Sequence, residues 1–166
     1  MLHPKNNIVL ENFNKENLSK TFDWINNKDF QKDFLFERDI SWSDHIDWYS
    51  SYIKDITQKI YAINIDGVHI GNIGLKHIDN SKKSAESWIY IGDEIFMGKG
   101  YAKRAYELMK KKLIDKEIIK LTANIGSFNK GSIFLHEKVG FFKIGSTTNI
   151  LFDKKVEKLI YEINLL

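Results

Sequence analysis

Ile91-Gly92-Asp93-Glu94-Ile95-Phe96-Met97-Gly98-Lys99-Gly100-Tyr101-Ala102-Lys103-Arg104 joins an apolar strand to an amphipathic helix through two closely spaced glycines. Gly98 and Gly100 let the main chain approach a ligand with no Cβ in the way. A helix beginning near Gly100 points its unpaired N–H groups and the positive end of its dipole at whatever sits there. An anion suits that geometry, and the turn reads as a cradle for a diphosphate. An ordinary β-to-α connection has the same outward form. Two other phosphate-binding patterns are excluded. No Gly-x-x-x-x-Gly-Lys-Ser/Thr run exists, and the dinucleotide fingerprint wants glycine or alanine where Lys103 stands.

A second block lies further on: Asn129-Lys130-Gly131-Ser132-Ile133-Phe134-Leu135-His136-Glu137-Lys138-Val139-Gly140-Phe141. Gly98-x-Gly100-x-Ala102 resembles the acyl-CoA pyrophosphate loop of the GNAT superfamily, the GCN5-related N-acetyltransferases, whose usual form is Gln/Arg-x-x-Gly-x-Gly/Ala. The block from Asn129 is similar to the family's later motif, in which an Asn opens a short helix and Glu-Lys-x-Gly-Phe closes it. The two motifs stand in the family's order with a helix and a strand between them. The resemblance implies a GNAT fold over nearly the whole chain: α/β, with a mixed, mostly antiparallel sheet of about six or seven strands flanked by about four helices.

Composition permits that reading. A chain of 166 residues with 43% hydrophobic and 13% aromatic content buries one substantial core rather than two, so residues 1–166 are expected to form a single domain. No run of about 18 apolar residues exists. Met1-Leu2-His3-Pro4-Lys5-Asn6-Asn7 lacks the layout of a secretion signal, and a cytoplasmic protein without membrane contact is expected. Zero cysteines exclude disulfides, thiolate zinc sites and a cysteine nucleophile. The five histidines never fall at ligand spacing with a carboxylate, so no metal is expected. Residues 1–80 hold 9 Lys/Arg against 12 Asp/Glu, a balance of −3; residues 81–166 hold 16 against 10, a balance of +6. The excess cations cluster around the glycine loop and its helix, which suits the phosphates of a small cofactor better than a nucleic acid.

Periodicity and turn signals support a mixed α/β domain, and the resemblance implies the order β-α-α-β-β-β-α-β-α-β-β. A strand is expected near Ile8–Phe13, then a helix capped by Asn14 or Asn17 and running to about Asn27, then a helix from Ser41 or Ser43. Asp66-Gly67 between apolar runs is a hairpin signal. A strand over Ser84–Ile91 returns antiparallel across the polar turn at 80–83. Apolar residues 101, 105, 108, 109 and 113 recur at helical spacing. Ile118–Ala123 is a short strand, Asn129 caps a helix, and 141–150 and 156–165 close the sheet.

Acyl transfer from a thioester to an amine needs a neutral amine, a polarised carbonyl and a proton for the leaving thiolate, and no protein nucleophile when the two substrates are held in line. By resemblance, acetyl-CoA is the cofactor. The N–H groups of Gly98, Lys99, Gly100, Tyr101 and Ala102 hold its diphosphate, with Lys103 or Arg104 reaching a phosphate. The main chain of Ile95, Phe96 and Met97 pairs with the pantetheine arm as an added strand, and Asn129 and Ser132 contact that arm. Met97 departs from the family's Gln or Arg. Where members commonly carry a tyrosine acid, this chain has His136, whose reference pKa near 6.5 suits proton donation. Tyr101, Tyr90 and Tyr106 are less favoured donors. Glu86 leads the candidate bases, followed by His77, with Asp93 and Glu94 at the strand's end. A catalytically silent acyl-CoA-binding module is the alternative of another class.

The acceptor is read from the aromatic N-terminal half. Trp24, Asn26, Asn27, Trp48 and Tyr90 are the candidate substrate contacts. Trp24-Ile25-Asn26-Asn27 followed by His45-Ile46-Asp47-Trp48 resembles the opening of acetyltransferases acting on nucleotide-linked amino-deoxysugars, and of those acting on ribosomal-protein N-termini. The expected partner is thus a small-molecule amine, foremost a sugar nucleotide of a surface-glycan or flagellin-sugar pathway. A protein α-amino group or a polyamine is the alternative, and a homodimer is left open.

Overall fold

In the computed structural model, which describes residues 6–151 and 153–166, seven strands and five α-helices follow one another. They are β1 (Ile8–Asn12), α1 (Leu18–Ile25), α2 (Lys28–Asp33), α3 (Trp42–Tyr52), β2 (Lys59–Ile65), β3 (Val68–Asp79), β4 (Ser84–Ile91), α4 (Tyr101–Ile114), β5 (Lys120–Gly126), α5 (Lys130–Val139), β6 (Phe142–Leu151) and β7 (Lys154–Asn164). Short 3-10 turns occupy Lys15–Asn17 and Glu94–Phe96. The strands form one sheet in the order β1-β2-β3-β4-β5-β7-β6. Every neighbouring pair is antiparallel except β4 and β5.

The expected mixed α/β sheet is therefore present, with one helix more than the periodicity of the sequence suggested. Asn14 caps only the 3-10 turn, accepting from Glu16 N at 2.8 Å. Asn27 ends the first helix by starting another: its Oδ1 accepts from the N–H groups of Asp29 at 2.9 Å and Phe30 at 3.2 Å. Ser41, not Ser43, caps α3, accepting from Asp44 N at 3.0 Å. Strand β5 extends to Gly126, past the expected end at Ala123, because β7 pairs with it along its length. The stretch Met1–Lys5 lies outside the described residues.

Helix α4 lays Tyr101, Ala105, Tyr106, Met109 and Leu113 onto the sheet, where Ile63, Ile70, Ile73 and Leu121 are fully buried. A smaller cluster of Phe13, Leu18, Tyr52 and Ile60 packs under α1 and α3 on the opposite face. Strand β4 lies between the two layers, and its side chains alternate in burial. Ser87 meets Tyr106 of α4, while Tyr90 meets Phe30 of α2. Among the described residues, no helix is long and apolar enough to cross a membrane.

Candidate active site

The two parallel strands pair only at Ser84↔Lys120, Ala85↔Leu121 and Glu86↔Thr122. Beyond that point β4 stays with β3 as far as Ile91 and β5 stays with β7 as far as Gly126, so the strands part and expose facing edges. A cleft of about 620 Å³ opens there. Gly98, Ala102, Asn129, Ser132 and His136 line one side of it, and Lys76, His77, Glu86, Trp88 and Tyr90 the other.

At the cleft mouth Gly98 (φ 69°) and Gly100 (φ 82°) are both left-handed, and a Cβ at either would meet nothing within 4 Å. Glycine is needed here for backbone conformation, not for room against a neighbour. Gly100 is the N-cap of α4 and has no side chain to cap it. Among the described residues, no backbone carbonyl accepts from the N–H of Gly98, Lys99 or Gly100. Open space and unspent donors at a helix N-terminus fit a diphosphate. Arg104 is partly committed, donating to the carbonyl of Asn6 at 2.9 Å; Lys103 is exposed beside it. Tyr101 is buried, its ring 5.9 Å from that of Phe96.

Ile95 and Phe96 lie in a 3-10 turn, and Met97 after them is extended (φ −68°, ψ 149°). Asp93 closes a 3-10 turn there, accepting from Ile95 N at 3.1 Å through its side chain and from Phe96 N at 3.0 Å through its carbonyl, while Met97 N donates to Glu94 O at 3.2 Å. These N–H groups are engaged in the turn, and β4 beyond Glu86 presents a further open strand edge in the cleft.

On the α5 wall Asn129 caps its helix, Oδ1 accepting from Ser132 N at 3.1 Å. His136 is 3% exposed. Its Nδ1 lies 2.7 Å from the Ser132 carbonyl, which can only accept, so Nδ1 carries the proton. Nε2, 2.9 Å from the Tyr106 hydroxyl, then accepts from it, and Tyr106 lies 3.0 Å from Ser87 Oγ. Both ring nitrogens are thus engaged. Burial pushes the His136 pKa down, against the smaller opposing effect of the Ser132 carbonyl, and burial pushes the Tyr106 hydroxyl up.

Glu86 sits where the strands part. Its Oε1 accepts from Asn124 Nδ2 at 3.0 Å and lies 3.1 Å from Lys76 Nζ, and its Oε2 lies 3.1 Å from His77 Nδ1. Burial pushes its pKa up, but Asn124, Lys76 and His77 together outweigh burial and leave it below the ordinary carboxylate value. His77 adopts φ 52° inside the irregular pairing of β3 with β4 between Lys76 and Asp79, and that local reversal brings its ring to the carboxylate.

Of the acceptor candidates, Tyr90 lines the cleft, and with Trp48 it also lines a second cavity beside it. Trp24, Asn26 and Asn27 line neither. Trp24 packs on Gly92, where an added Cβ would fall 2.1 Å from the indole. Asn26 ties α1 to the chain before α3, accepting from Ile40 N at 2.7 Å and donating to its carbonyl at 3.0 Å. Asp93 closes the 3-10 turn, and Glu94 lies within it. Phe34, one of the aromatics of the N-terminal half, lines the cleft, and so do Ser87, Trp88 and Asn124, which the sequence did not single out. The alternation of β4 and the lone Asn in an apolar strand were the signals available for Trp88 and Asn124.

Comparison with known proteins agrees with this architecture. The sequence profile of the Acetyltransferase (GNAT) domain family matches residues 7–142. An uncharacterized SPbeta prophage-derived N-acetyltransferase of Bacillus subtilis is 31% identical over 111 residues, 65% of this chain and 61% of that protein. The aligned part thus spans about three fifths of that relative's length. Spermidine N-acetyltransferase from Vibrio cholerae, solved with CoA and spermine, superposes with a TM-score of 0.89 at 19% identity, covering 95% of each chain. A putative acetyltransferase from Salmonella typhimurium, solved with acetyl-CoA, does so with a TM-score of 0.78 at 16% identity, covering 96% of this chain and 95% of the other.

Proposed function

The chain belongs to the GNAT acetyltransferase family, and from that premise we propose that it transfers the acetyl group of acetyl-CoA to the primary amine of a small acceptor, foremost a nucleotide-linked amino-deoxysugar. The observation that carries this reading is the parting of β4 and β5 at Glu86 and Thr122, with the glycine loop and the Glu86–His77 pair lining the same cleft.

The N–H groups of Gly98, Lys99 and Gly100 and of the first turn of α4 hold the diphosphate, with Lys103 balancing its charge. The open edge of β4 from Trp88 to Ile91 takes the extended arm, and Asn129 and Ser132 face it from α5. Acetyl-CoA supplies an activated acyl carbonyl with a thiolate as leaving group. The chain orients the amine and removes its proton. Glu86 already has both oxygens engaged, so the group with capacity for that proton is His77. Its Nδ1 donates to Glu86, which fixes the ring and leaves Nε2 to accept. Glu86 is then a positioning residue. His136 acts through Tyr106, holding the Ser87 hydroxyl on the cleft wall.

A polyamine acceptor is the second reading, favoured by the likeness to an enzyme solved with spermine. Two carboxylates on these walls are already paired: Glu86 is tied to Lys76, His77 and Asn124, and Asp44 lies 3.1 Å from Arg38. Asp33, exposed on the cleft wall, has no ion pair among the described residues and would receive part of a polycation's charge. Thiol release from acetyl-CoA, measured with amino-sugar nucleotides, polyamines and basic peptides, tests the assignment. Turnover on a sugar nucleotide supports it, and turnover on the others alone replaces the acceptor. CoA binding with no turnover on any of them leaves a binding module.

A further inference from the structure

Beside the cleft lies a chamber of about 600 Å³ between α2, α3 and the sheet. Phe30 and Phe34 stack with ring centroids 4.5 Å apart, and both stand edge-on to Tyr90, at 4.7 and 5.6 Å. Trp88 stacks on Tyr90 at 5.9 Å, and Phe36 and Trp48 complete the walls. Phe34, Lys76, Trp88 and Tyr90 line both the chamber and the cleft, so the two spaces are continuous.

Most polar groups of the chamber are engaged within the protein, while the indole N–H groups of Trp48 and Trp88 have no partner among the described residues. Asn72 donates to Thr21 Oγ1 at 3.0 Å and to the Tyr90 hydroxyl at 2.6 Å, and its Oδ1 meets His69 Nε2 at 2.8 Å. His45 Nε2 bonds the Leu18 carbonyl at 3.0 Å, Arg38 lies 3.1 Å from Asp44, and Lys76 lies 3.1 Å from Glu86. An occupant that needed many hydrogen bonds would have to break these pairs, whereas a planar ring with a few polar groups on its edge can meet the two indole N–H groups. A polycation would meet one carboxylate, Asp44, already paired. What the walls offer is ring faces and ring edges, and these favour another ring in offset or edge-on contact.

We propose that this chamber is a subsite for a planar aromatic ring carried by the acceptor, held there while its amine reaches the Glu86–His77 pair. The inference deepens the acetyltransferase reading and rests on it for the position of the amine. The ring belongs either to the base of a sugar nucleotide or to an arylalkylamine, and the two sources share the same recognition chemistry.

Binding to the full chain, read by ligand-observed NMR in the presence of CoA, separates them. The probes are uridine monophosphate against ribose 5-phosphate, and tryptamine against 2-cyclohexylethylamine. Uridine monophosphate is expected to bind about fivefold tighter than its ringless counterpart. F34L, which keeps an apolar side chain of similar size but removes the ring, is expected to erase most of that difference, with an unchanged melting curve showing that the fold is retained. If tryptamine alone shows the preference, the ring subsite stands and the nucleotide acceptor falls. Equal affinities within both pairs, or a preference untouched by F34L and by F30L, overturn the subsite.

Discussion

His77 Nδ1 lies 3.1 Å from Glu86 Oε2, at the last residue of β4 paired with β5. A carboxylate on one ring nitrogen fixes the tautomer and frees the other nitrogen as a base. H77N is expected to lower kcat by about 10²-fold with little change in KM for acetyl-CoA, since general-base contributions commonly fall in that range. E86Q is expected to lower kcat less, because His77 keeps its base nitrogen and loses only its orientation. Steady-state kinetics on both variants checks this, and a larger loss in E86Q than in H77N would make Glu86 itself the base.

Gly100 at φ 82° is in a conformation that a branched side chain adopts only with strain. G100V is expected to cost about 1–2 kcal/mol of stability and to abolish CoA binding, because the strain is relieved by moving the N–H groups that face the cleft. Calorimetric titration with CoA, beside a thermal melt, separates the two effects. Normal CoA affinity in the folded variant would sink the loop assignment.

The chain from His136 through Tyr106 to Ser87 makes a prediction that differs from that for a direct acid. Y106F removes the hydroxyl that His136 Nε2 accepts from and leaves a buried acceptor unpaired, at a cost of about 1–3 kcal/mol. Its kcat is expected to fall less than tenfold with no change in the shape of the pH profile. Loss of the basic limb of that profile in H136F, with stability preserved, would instead identify His136 as the acid.

Two buried histidines, His45 and His136, and the partly buried His69 set the response to acid. Burial pushes the pKa of His45, His69 and His136 below the ordinary 6.5. Above that value both folded and unfolded chains are neutral at these sites, and their contribution to stability is whole. As pH falls through 6.5 the unfolded chain takes up protons first, so stability declines until the depressed folded values are passed. Melting temperatures are expected to be level from about pH 8 to 7 and to drop below about 6.5, with H136Q showing a shallower drop than the parent. Glu86, held below its reference value of 4.5, adds its own loss only in more acidic solution.

Gly92 and Trp24 give a packing test remote from the chemistry. A Cβ at position 92 would fall 2.1 Å from the indole. G92A is expected to destabilise by about 1–3 kcal/mol, as overpacking does, which a denaturant titration reads directly.

Much was legible in the residues alone. The strand, the two glycines and the helix after them are local features. So are the hairpin at Asp66-Gly67 and the cap at Asn129, because each depends on backbone conformation and hydrogen bonds within a few residues. The site was less so. His136 stands where a proton donor was expected, yet which atoms its ring nitrogens face is set by Ser132 on its own helix and Tyr106 on another. Trp24, Asn26 and Asn27 sit in one short aromatic run, but the structure uses them for packing and capping, while Phe30, Phe34 and Trp88 line the chamber.

The sequence by itself determined the glycine loop, the hairpin and a mixed α/β domain, since local propensity and periodicity specify them; the order of elements was implied by the family resemblance and lacked α2. Only the tertiary structure decided where β4 and β5 part, that Glu86 meets His77, Lys76 and Asn124 there, and that aromatic rings from α2, α3 and β4 enclose one chamber. These are contacts between segments far apart in the chain, formed by burial and by pairing of polar groups, and no spacing within one segment encodes them.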